Sequence, residues 1–210
     1  MGTIIGVVFL VIILVISITC HEFMHAYVAN RLGDDTAKSS GRLSLNPIAH
    51  IDLFGTILLP FILFLANLPV FGAAKPVPFN PSRLRNGDMG MAMVALVGPF
   101  TNLLLAVFIS LWLRFLPVSG LAMDFFEMFV MVNVGFFVFN MIPFPPLDGS
   151  RLFYALAPDP LRAVMRQIEG FGLIGIMAFI FLLFPFISPI VGRAINAILT
   201  VLIPGYSLTI

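Results

Sequence analysis

The residues His21-Glu22-Phe23-Met24-His25 form an H-E-x-x-H run at the end of an apolar stretch from Ile4 to Cys20. On a helix the two histidines stand at i and i+4, so their rings project from one face and can hold a single zinc ion, with Glu22 close to the same face. Zinc lowers the pKa of a bound water to about 7, and a carboxylate beside it can take the proton as the water attacks a carbonyl. The chemistry is metal-assisted hydrolysis at membrane depth. A zinc site needs a third protein ligand and an open position. Asp148 is expected to be that ligand: it follows Pro145-Pro146, where an apolar helix has ended and unwound backbone can turn a carboxylate inward. By itself it would read as a turn aspartate before Gly149. His50 is the alternative third ligand, although support of its own segment together with Asp52 explains it more simply. Asn102, after Gly98-Pro99, and Asn140, before the proline-rich turn, are candidates to donate an N–H to a developing oxyanion or to hold the substrate backbone. Hydrogen bonding between helices is the competing reading for both. Cys20 projects about 100° away from His21 and reads as a bystander thiol.

These groups must be positioned by elements suited to lipid. Of 210 residues 60% are hydrophobic and 10% charged, and the mean hydropathy is +1.09. A soluble domain carries about a quarter charged residues, so this chain cannot hide its apolar surface in its own core. It reads as an all-α polytopic membrane protein of one domain, 1–210, with a catalytic core of about 1–150 and additional helices over 151–210. Net charge of +1 gives no basis for a nucleic-acid partner, and one cysteine excludes an internal disulfide. The first apolar run has neither a basic start nor a small-residue cleavage site, so it is expected to be a retained helix rather than a signal peptide.

In order, Met1 to Leu32 is expected to form one helix stopped by Gly33. Residues 34–46 read as an extended or hairpin excursion, giving a short β-like loop after the first helix. Leu53 to Leu68, interrupted at Pro60, reads as a re-entrant segment, and the proline-rich 74–81 as extended backbone. Met89 to Trp112 and Met123 to Met141 are spans. Asp159 to Glu169 is an amphipathic surface helix, with Leu161, Met165 and Ile168 on one face and Arg162, Arg166 and Glu169 turned away. Phe171 to Phe186 and Val191 to Ile203 close the chain as two more spans, for about five to six transmembrane helices in all.

For Asp148 to meet His21 and His25, the first helix and the Met123 helix must end on one side of the bilayer, with the Met89 helix crossing back between them. Residues 53–68 then enter and leave on one face. This arrangement gathers Arg31, Lys38, Arg42, Lys75, Arg83, Arg85, Arg151, Arg162 and Arg166 on one side and leaves Arg114 and Arg193 near the other. By the positive-inside rule the crowded side is cytoplasmic, which places the zinc in the cytoplasmic half of the cell membrane.

Taken together, His21 to Ala26, Gly41 to Pro47 with His50, Ala74 to Pro78, Gly98-Pro99 with Asn102, and Asn140 to Gly149 resemble the site-2 protease family of intramembrane zinc metalloproteases, in its compact prokaryotic branch. The resemblance implies His21, His25 and Asp148 as zinc ligands, Glu22 as catalytic base, and Asn102 and Asn140 at the site. It implies transmembrane proteins as substrates, unwound beside an edge in the loop after the first helix. Met24 stands where this family usually has a small residue. These 210 residues hold no PDZ or CBS domain, so selectivity is expected from the membrane core or from a regulatory membrane partner; no oligomeric state is implied. The competing classes are a membrane metal-ion transporter, which needs ligands but no base, and an inactive protease-like scaffold, which needs neither.

Overall fold

The computed structural model describes residues 3–50, 75, 77–116 and 118–203, and among them every regular element is helical. Helix α1 (Thr3–Arg31) carries the H-E-x-x-H in its last third. It ends as its sequence dictates: Gly33 takes φ +103, and the amides of Gly33 and Asp34 turn back to the carbonyls of Asn30 and Ala29. The segment expected to be extended contains instead a short helix, α2 (Thr36–Ser39). Its cause is local, since the Asp34 carboxylate accepts both the Thr36 N–H and the Thr36 hydroxyl and bends the chain into a turn. No β-strand occurs among the described residues, and the expected re-entrant segment at 53–68 lies outside them.

Three long helices form the frame: α1, α3 (Gly87–Phe115) and α4 (Leu121–Asn140). Side-chain pairs fix their directions. Phe9 meets Phe125 and Ser17 meets Asn133, so α1 and α4 run parallel. Asn102 meets Asn133 and Trp112 meets Phe126, so α3 is antiparallel to both. The Arg85 N–H donates to the Leu32 carbonyl, so the chain begins α3 at the end where it left α1. Helices α5 (Gly149–Leu156) and α6 (Asp159–Gly170) follow α4. As expected, Met165 of α6 is buried, but the other face is not free: Arg162 pairs with Asp88 at 2.6 Å and Glu169 with Arg151.

The last stretch departs from the expected pair of spans. Helix α7 (Leu173–Ala178), a π-helical turn at Phe179–Leu183 and α8 (Phe184–Leu202) make one apolar run, Ile174–Leu202. Pro185 falls in the first turn of α8, where a missing N–H costs little. Pro189 withholds an amide from the Pro185 carbonyl, and the Ser188 hydroxyl, 3.1 Å away, donates to it instead. Leu199 and Ile203 pack with Ala106, Val130 and Val134, and the Ser110 hydroxyl and Arg114 cap the Leu202 and Val201 carbonyls. Four helical stretches of the described residues are long and apolar enough to cross a membrane, which makes this a membrane protein by length and composition.

Candidate metal centre

The H-E-x-x-H spacing places His21 and His25 on one face of α1, with ring centroids 4.6 Å apart and the rings nearly perpendicular. Asp148 joins them from the turn before α5. Its Oδ2 lies 3.1 Å from His21 Nε2 and 3.5 Å from His25 Nε2, and the three donors are mutually within 4.8 Å. Ligands about 2.0–2.1 Å from a tetrahedral zinc stand roughly 3.3 Å from one another, so the two Nε2 to Oδ2 separations bracket that value.

The far side of each ring is already bonded. His21 Nδ1 is 2.6 Å from Asn102 Oδ1 and His25 Nδ1 is 2.7 Å from the Val94 carbonyl. Both partners only accept, so each Nδ1 carries the proton and each Nε2 presents a lone pair toward Asp148. Facing acceptors at this distance are reconciled by a cation between them, either a metal ion or the proton of an imidazolium.

Two glycines make room for the group. A Cβ at Gly98 of α3 would collide with His25 Nε2 and lie 2.7 Å from His21 Nε2. Pro99 has no N–H for the Ala95 carbonyl, which loosens α3 where it passes the rings. At Gly149 a Cβ would lie 2.5 Å from the Met141 carbonyl oxygen and 2.9 Å from that of Asn140. Only glycine lets α5 start this close to the end of α4, and that approach brings Asp148 to the histidines. A nitrogen and oxygen donor set with a cleared face is what zinc takes.

Glu22 lies on the same helix and is nine-tenths buried. Its Oε2 accepts the Val77 N–H at 3.1 Å, so the main chain of the segment after the undescribed residues holds the carboxylate. That segment is tied down at a second point, where the Asn80 N–H donates to Asp34 Oδ2 at 2.6 Å. Nothing in the side-chain pattern marks Val77, because its contribution is a backbone amide.

The other candidates fall elsewhere. Asn102 is fully buried beneath His21, and its NH2 is taken by Asn133 Oδ1 at 2.9 Å and the Ser17 carbonyl at 3.3 Å. It therefore supports a histidine and has no N–H facing the cleared side of the rings. Asn140 Nδ2 donates to the Phe136 carbonyl of its own helix at 3.0 Å. His50 is buried and donates from Nε2 to the Ser44 carbonyl at 2.8 Å; it is not among the gathered donors. Cys20 is likewise outside them. Asn133, fully buried behind Asn102, carries no sequence signal beyond a polar residue in an apolar helix.

Comparison with known proteins points to the same metal. Over 191 residues the chain is 40% identical to a Bacillus subtilis (strain 168) protein named "Putative zinc metalloprotease YwhC", covering 87% of this chain and 81% of that one. The chain belongs to the YwhC family. Proteins of Mycolicibacterium smegmatis and Mycobacterium tuberculosis H37Rv, each named "Putative zinc metalloprotease Rip2", are 30% and 29% identical over 152 and 180 residues. These matches cover 70% and 83% of this chain, which spans 57% and 64% of the two Rip2 proteins. No family model and no solved structure matches the chain. The metal named for the YwhC family is the one that the donor set of His21, His25 and Asp148 suits.

Proposed function

We propose that this chain is an intramembrane zinc endopeptidase of the site-2 protease type, hydrolysing peptide bonds within or near the transmembrane segments of other proteins. The observation that carries this reading is the placement of Glu22 and the three-donor group on and beside a helix apolar enough to cross a membrane. An ionisable cluster in such a helix is costly, by about 2.5–3.5 kcal/mol for a single charge at its centre, and is kept where chemistry uses it.

His21, His25 and Asp148 would hold the zinc, which when bound supplies a Lewis acid and an acidified water. Glu22 takes the water's proton and returns it to the leaving amine. The Val77 N–H fixes one carboxylate oxygen, while the other accepts no hydrogen bond among the described residues and is left for proton transfer. Asn140, at the end of α4, is the remaining side chain for holding the substrate backbone. The substrate segment must unwind to be cut, since a helical peptide bond is shielded by its own turn. The basic residues at the end of α1 and the start of α3 support a cytoplasmic placement of that end in the cell membrane.

The test is cleavage of single-span model substrates by the purified protein in liposomes, with the cut mapped by mass spectrometry. The expected cut lies in or beside the apolar span and is abolished by a zinc chelator and restored by zinc. Chelator-insensitive cleavage, or zinc transport in the same liposomes without cleavage, would overturn the proposal.

A further inference from the structure

Behind His21 a file of buried polar groups crosses from α4 through α3 to α1, and the direction of its hydrogen bonds is set from the far end. The Phe129 carbonyl can only accept, so the Asn133 group 2.9 Å from it is Nδ2. The same Nδ2 lies 2.9 Å from Ser17 Oγ. Asn133 therefore turns Oδ1 toward Asn102, which must answer with its own Nδ2, at 2.9 Å. The Ser17 carbonyl, also able only to accept, makes the same demand of Asn102 from 3.3 Å. What remains of Asn102 is Oδ1, and it faces His21 Nδ1 at 2.6 Å. Two backbone carbonyls thus dictate, through two amides, that His21 carries its proton on Nδ1 and its lone pair on Nε2.

We propose that Asn133 is a positioning residue for the metal centre, fixing through Asn102 the tautomer and ring orientation of His21. Ser17, Asn102 and Asn133 are all fully buried, so no water replaces a lost partner and the amides have no satisfactory flipped state. In a flipped state the Asn102 NH2 would face the Nδ1–H, and the Oδ1 atoms of Asn102 and Asn133 would face the Ser17 and Phe129 carbonyl oxygens with nothing to donate. A residue that merely glues helices would need no such direction. His25 is oriented independently, by the Val94 carbonyl of α3, so loss of Asn133 acts on one ligand of the pair.

Histidine 15N NMR of the full chain in detergent micelles tests this directly, because there are three histidines and each has its own acceptor. At a pH where the imidazoles are neutral, metal-free protein carrying Asp148→Ala, which removes the acceptor facing each Nε2, should show His21 and His25 as Nδ1–H tautomers and His50 as Nε2–H, donating to the Ser44 carbonyl. The tautomer effect of Asn133 variants is read in this background and the zinc effect with the ligand set intact. Asn133→Leu should move His21 alone into a mixture of tautomers and weaken zinc binding about tenfold in chelator competition. Asn133→Asp, whose carboxyl is kept protonated by burial and so can donate to the Phe129 carbonyl while presenting an oxygen to Asn102, should keep the wild-type His21 signal. An unchanged His21 in Asn133→Leu, or a common shift of all three histidines marking general loss of packing, overturns the proposal. The effect on affinity rests on the proposed metal centre, but the tautomer does not. A chain that binds no zinc while its His21 tautomer follows Asn133 would overturn the centre and leave the relay standing.

Discussion

Gly98 lies against His25 so closely that a methyl group there would stand 2.5 Å from the imidazole Cε1 and collide with Nε2. The glycine clears the side of the rings where the metal would be held. Gly98→Ala should therefore reduce zinc affinity by at least about tenfold, as loss of ligand geometry does elsewhere. Overpacking would also lower stability by about 1–3 kcal/mol. Chelator competition and thermal unfolding of the purified variant measure the two effects separately. Wild-type zinc affinity in Gly98→Ala would contradict this account of the cleared face.

Arg162 ties three elements together. Its guanidinium donates to the Ala157 carbonyl at 2.7 Å, the Ala155 carbonyl at 3.1 Å and Asp88 at 2.6 Å, so α6 holds the end of α5 against the start of α3. Arg162→Ala should lower stability by about 1–3 kcal/mol, the range for hydrogen bonds from a charged group. Arg162→Lys should recover little of this, since an ammonium cannot reproduce the planar fork. The readout is Tm in detergent, and full recovery by lysine would show that only the charge matters.

Acid should loosen the segment that holds Glu22. Burial of Asp34 opposes its ionisation, but the Thr36 hydroxyl and N–H, the Asn80 N–H and the Arg83 guanidinium outweigh burial and hold its carboxyl below the usual carboxylate range. A folded-state pKa below the unfolded value, which is about 3.9, means that the stabilisation is complete above that value and is lost as pH falls through the folded one. Tm should accordingly drop below about pH 4. Asp34→Asn should be less stable at neutral pH and show a shallower acid limb. An acid limb equally steep in Asp34→Asn would assign the loss to other carboxylates.

The sequence made one half of this site readable and hid the other. His21, Glu22 and His25 announce themselves because i, i+4 spacing is a property of one helix, and Asp148 because Pro145-Pro146 marks unwound backbone next to it. Gly98 could be read only as a loosened helix, since its closeness to the rings is a relation between α1 and α3. Asn102 gave its position but not its role: an amide pointing up at an oxyanion and one pointing down at Asn133 have the same sequence. Val77 acts through a main-chain amide and has no side-chain signature. At the C-terminal end Phe171 to Phe186 and Val191 to Ile203 read as two spans, whereas placement of Pro185 in a first turn and the Ser188 hydroxyl keep one helix running. Arg162 and Glu169 looked like a solvated face because their partners, Asp88 and Arg151, come from other elements.

The central claim is that Glu22 does chemistry on a metal that His21, His25 and Asp148 hold. Glu22→Gln tests it most directly, with zinc content and cleavage of a single-span substrate measured on the same preparation. The account predicts that zinc affinity stays near the wild-type value while cleavage falls by at least about a hundredfold, the scale of a lost general base. Cleavage that survives in Glu22→Gln would contradict the account.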